Sequence, residues 1–159
     1  MKHYCFKKQI LLPVSKKEAW AFFSNPSNLK KITPPEMGVR ILSKGLPANI
    51  YSGLEIEYRL APLFGVPLRW SSRILDVRQP EFFIDEQQNG PYAFWKHEHR
   101  FESHAKGTLM TDTMAYGMPF SWLGSLAHAL IVKRKLKHIF DYRSAAIAGL
   151  FPVTTPAIV

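Results

Sequence analysis

The chain has 159 residues, 47% hydrophobic and 13% aromatic, which suits one domain with its own core and excludes an intrinsically disordered chain. Twenty-one Lys and Arg against twelve Asp and Glu give a net charge of +9, a balance that attracts anions and does not determine the fold. Cys5 is the single cysteine, so an intrachain disulfide and a thiolate zinc cage are excluded.

"YCFKKQILL" predicts a first strand, broken at Pro13. The run "ILLPV" is too short for a signal-peptide core. No stretch reaches the roughly eighteen apolar residues of a membrane span, so a cytoplasmic location is expected. Ser15 predicts a helix N-cap, and Glu18 three residues on completes a capping box. Trp20, Phe22 and Phe23 follow. "NPSNLKKI" predicts a second short helix that stops at Pro34-Pro35.

The period then changes to two. Leu54, Ile56, Tyr58 and Leu60 alternate with Glu55, Glu57 and Arg59, as in a half-buried strand. "APLFGVP" turns the chain. Leu68, Trp70, Ser72 and Ile74 share the next inward face. "EFFIDEQ" is a short strand whose inner face the pattern leaves open, and Asn89-Gly90-Pro91 is a turn. In "GPYAFWKHEHRFE" the even positions Lys96, Glu98, Arg100 and Glu102 are charged and belong in water. Trp95, His97, His99 and Phe101 then point to the covered side. After "HAKG", the residues Met110, Asp112, Met114 and Tyr116 share a face. A four-residue loop from His104 to Gly107 pairs Ser103 with Thr108. It sets Phe101 opposite Met110, His99 opposite Asp112 and His97 opposite Met114, each pair ~5 Å apart at Cβ; a two-residue slip would pair Asp112 with His97 or Phe101 instead.

From Ser125 to about Leu150 the period is helical. Ala129, Val132, Leu136, Ile139, Phe140, Arg143, Ile147 and Leu150 form one stripe. Leu126, Leu130 and Ile131 lie on another face, a candidate oligomer or partner contact. The order predicts an α+β domain over 1–150 with a tail over 151–159. An antiparallel sheet of six or seven strands is covered by one long C-terminal helix and two short helices.

Several segments resemble a known superfamily: "LPVSKKEAWAFFSNPSNLKKITPP", "PLRWSSRI", "FFIDEQQNGPYAFWKHEHRF", "TLMTDTMAYGMPFSWLG" and "LKHIFDYRSAAI". They are similar to the helix-grip superfamily of START domains, pollen-allergen-like proteins, polyketide cyclases and quinone-binding START-like proteins, over roughly residues 3–150. The resemblance implies a curved sheet gripping the last helix, with an apolar tunnel between them. Its walls would be Trp70, Ser72, Trp95, Phe101, Met110, Met114, Tyr116, Leu136 and Phe140. Leu63-Phe64-Gly65 would gate the entrance.

Four roles fit His97, His99 and Asp112. They form a structural pair, since buried polar groups need partners. They recognise an oxygen on a ligand, with Arg143 reaching in from the helix; alternatively, Arg143 lies along the surface and sends its head to water. They bind a metal as two imidazoles and a carboxylate; no fourth ligand suggests itself, and no metal or cofactor is expected. Or His99 and Asp112 move protons in a cyclase or dehydratase. No nucleophile or phosphate-loop motif is present, so binding or transport of a small hydrophobic molecule is favoured over catalysis. A regulatory interaction module is the third class. The basic pairs and "KRKLK" fit a solvated surface or weak contact with anionic membrane. Nucleic acid is not expected, because the aromatics are not interleaved with the basic residues.

Overall fold

Local rules set the first elements of the computed structural model, which describes residues 2–61, 65–119 and 131–152. Strand β1 (His3–Leu12) ends before Pro13, and helix α1 (Lys16–Phe23) starts behind Ser15. Ser15 Oγ accepts from the Glu18 amide, and the Glu18 carboxylate accepts from the Ser15 amide at 2.9 Å. This is the expected capping box, worth about 1 kcal/mol. The second predicted helix forms as 3-10 turns, Pro26–Ile32 and Pro35–Met37. The reason is length: proline at either end leaves seven residues, and side-chain bonds from Asn28 to the Phe22 carbonyl and from Thr33 to the Leu29 carbonyl hold the tighter winding.

Six strands follow: β2 (Arg40–Ile41), β3 (Glu55–Leu60), β4 (Leu68–Arg78), β5 (Phe82–Asn89), β6 (Phe94–His104) and β7 (Gly107–Gly117). They form one seven-stranded antiparallel sheet in the order β1-β7-β6-β5-β4-β3-β2. Register shifts in β4, at Ser71/Ser72 and at Ile74/Asp76, bend the sheet. The alternation in β3 holds, with Ile56 buried between exposed Glu55 and Glu57.

Helix α2 (Lys133–Leu150) crosses the covered face. Leu136, Phe140, Arg143 and Ile147 recur at steps of four, three and four, and all are buried. Leu150 departs from the stripe and is 43% exposed. The predicted start of this helix, with Leu126 and Leu130, lies outside the described residues, as do Leu63 and Phe64; Ile131 is half-buried. Among the described residues, no helix is long and apolar enough to cross a membrane.

Two apolar clusters share the interior. One gathers Leu12, Trp20, Phe101, Met110 and Ile147 where α1 covers the sheet. The other gathers Met114, Tyr116, Val132, Leu136 and Phe140 under α2. Members of both wall a hollow between sheet and helices.

Candidate functional site

Strand register builds the polar part of this hollow. His99 pairs with Asp112 and His97 with Met114 across β6 and β7, while Phe101 meets Met110. On the other side, β5 sets Phe83 beside His99 and Asp85 beside His97. Asp112 Oδ1 accepts a hydrogen bond from His97 Nε2 at 2.9 Å. His99 Nδ1 lies 2.7 Å from the same oxygen but off the hydrogen-bond line, so the contact is chiefly ionic. The far nitrogens face Asp85 Oδ2: His99 Nε2 at 3.4 Å and His97 Nδ1 at 4.0 Å. Phe83 stacks on His99 with ring centres 4.3 Å apart, which holds the imidazole edge-on to both carboxylates.

Burial and charge act against each other here. Burial pushes the Asp112 carboxyl up, but His99 and His97 outweigh it and hold it well below the usual carboxylate range. Burial also opposes charge on His99, yet Asp112 and Asp85 outweigh it and raise this imidazole above its ordinary value. His97 goes the other way. Burial and the neighbouring His99 lower it despite Asp112. A proton taken up by the pair therefore resides on His99.

Arg143 reaches the hollow from α2 and is 7% exposed. Its guanidinium lies over the Phe140 ring, 4.7 Å from the ring centre. Among the described residues its buried Nε has no hydrogen-bond partner, and no carboxylate lies within ion-pairing distance. Burial lowers its pKa, partly offset by the fields of Asp112 and Asp85; an arginine remains a cation under such conditions.

The hollow has a volume of about 220 Å³, below the roughly 300–1,000 Å³ common for ligand sites. Of the residues expected to wall it, Trp70, Ser72, Trp95, His97, His99, Met114, Leu136, Phe140 and Arg143 do so. Phe101 and Met110 face the expected way, but at their end of the strands Trp20 of α1 fills the space, and both pack in solid core. Tyr116 sits behind the wall against Tyr4, Tyr92 and Trp95. Asp112 lies beneath the two imidazoles, not in the wall. Asp85, Phe83 and Tyr92 line the hollow and were not expected to. The missing signal was the centre of the β5–β6 turn. A hairpin centred on Pro91 makes Asp85 face His97, and a half-residue shift turns it outward.

The sequence matches the family described as polyketide cyclase / dehydrase and lipid transport over residues 12–139. The chain belongs to this family. Solved structures agree with the family's fold. The ginseng (Panax ginseng) major latex-like protein 151 is 10% identical, with a TM-score of 0.68, covering 94% of this chain and 97% of that one. A Chromobacterium violaceum protein is 14% identical, with a TM-score of 0.67 and coverages of 92% and 96%. A Mycobacterium smegmatis protein is 14% identical, with a TM-score of 0.64 and coverages of 93% and 92%. At such identities the likeness establishes the helix-grip fold alone. No protein of curated function matches the chain. Hydrophobic ligand binding is general to the polyketide cyclase family.

Proposed function

We propose that this family member binds a small apolar molecule that carries one anionic oxygen group, such as a carboxylate or enolate. The hydrocarbon lies among Ile56, Trp70, Trp95, Leu136 and Phe140, and the oxygen meets Arg143 beside the imidazoles. One observation carries the reading: a guanidinium is buried in an apolar wall with no carboxylate of its own among the described residues. A buried charge without a direct ion pair is costly. A ligand oxyanion supplies the missing partner and gains a charge-assisted, fork-shaped contact.

Equilibrium binding of decanoate and of decanol, each to wild type and to Arg143→Met, tests this. Wild type is expected to prefer decanoate, and the variant to lose that preference by weakening decanoate roughly tenfold or more. Equal affinity of wild type for both compounds, or no binding of either, overturns it.

A further inference from the structure

The two imidazoles and Asp85 carry an inference that goes beyond the carboxylate reading and does not need it. Asp112 Oδ1 faces His97 Nε2 at 2.9 Å and His99 Nδ1 at 2.7 Å. When both rings are neutral and turn their N–H groups to this carboxylate, the ring hydrogens sit on these two nitrogens. His97 Nδ1 and His99 Nε2 are then bare lone pairs. Both face Asp85 Oδ2, at 4.0 and 3.4 Å. In that neutral state three acceptors converge, all within 4.8 Å of one another. A single proton bridges one pair at most; a metal ion answers all three.

We infer that Asp85, His97 and His99 bind one divalent transition-metal ion of the zinc class, with the fourth coordination position open to the hollow. Ligand atoms about 2.1 Å from a tetrahedral ion are roughly 3.4 Å apart, so closing on an ion needs small movements of side chains. Two imidazoles and one carboxylate suit zinc, cobalt or ferrous iron better than magnesium or calcium. Asp112 takes the part that a supporting carboxylate plays behind metal-bound histidine. It fixes the tautomer and aims both rings. Its full burial beneath two histidines at once is what a plain polar pair does not require. The charges also allow it: two carboxylates, Asp85 and Asp112, stand against Arg143, leaving a deficit that a divalent ion turns into a positive centre facing the hollow.

The test uses the whole chain freed of metal with a chelator and titrated with Co²⁺, followed by visible absorption and then by Zn²⁺ displacement. One equivalent of Co²⁺ is expected to bind. Asp85→Asn and His99→Ala should each weaken it at least a hundredfold. Asp112→Asn should weaken it about 10–100-fold while the ion stays in place. His138→Ala, on the exposed face of α2, should leave the titration unchanged. Circular dichroism of each variant separates loss of the site from loss of the fold, and Asp85, half-buried at the wall, is the substitution least tied to folding. Absence of Co²⁺ uptake by folded wild type overturns the inference, as does equal uptake by folded Asp85→Asn and His99→Ala. Neither result bears on decanoate binding to the metal-free chain.

Discussion

His99 and Asp112 stand directly opposite each other on β6 and β7, with Nδ1 2.7 Å from Oδ1, and His97 shares that same oxygen. One fully buried carboxylate therefore anchors two imidazoles. Removing it leaves both rings without their acceptor in a low-dielectric interior. Asp112→Ala is expected to cost about 3–5 kcal/mol, the range for breaking a buried charged pair. Urea unfolding at neutral pH measures it. A loss under about 1 kcal/mol would mean the rings do not depend on Asp112.

Arg143 should behave in the opposite sense. Its buried guanidinium lacks an ion-pair partner among the described residues, so the binding role proposed for it comes at the expense of stability. Arg143→Met keeps the apolar stem over Phe140 and removes the charge. Its unfolding free energy should equal or exceed that of wild type, by up to about 2 kcal/mol, even as decanoate affinity falls. A marked loss of stability would identify a structural arginine.

Gly107 fixes the register on which the site depends. Its φ is +131°, and a Cβ there would stand 2.1 Å from the Leu12 carbonyl oxygen. Neither the strained backbone nor the clash with main chain can relax cheaply. Gly107→Ala should cost about 2–4 kcal/mol and broaden the amide signals of His99 and Asp112 in NMR spectra. Wild-type stability in this variant would show that the β6–β7 turn does not set the pairing.

The aromatic wall adds a dependence on alkaline pH. Burial raises the Tyr58 phenol, with Asp85 adding to it, and burial raises Tyr92, with Tyr116 adding to it. The folded state thus holds these protons past the pH near 10 at which an unfolded chain releases them. For a pKa raised by folding, stability is full below the unfolded value and declines above it. Unfolding free energy should hold steady up to about pH 10 and then fall, with a shallower slope in Tyr92→Phe. An unchanged slope in that variant would exclude Tyr92 as a source.

Strand periodicity and one short turn made His97, His99 and Asp112 legible. Four charges on alternate positions of β6 fixed which side faced in, and the tight turn between His104 and Gly107, which pair with each other, fixed the partners. The fate of Phe101 and Met110 was not legible, because period tells which face is covered and not what covers it. Trp20 arrives from α1, some eighty residues away in sequence. Asp85 was hidden by the uncertain centre of the preceding hairpin. Arg143 fell on the right stripe through helical spacing, but its lack of an ion-pair partner among the described residues is a property of three dimensions. Strand β2, two residues long, has no period to read.

A crystal structure of the protein with decanoate tests the central claim most directly. The account predicts the chain between the sheet and α2, with a carboxylate oxygen about 3 Å from the Arg143 guanidinium. A carboxylate pointing to solvent with Arg143 unengaged, or a ligand bound only outside the hollow, would contradict it.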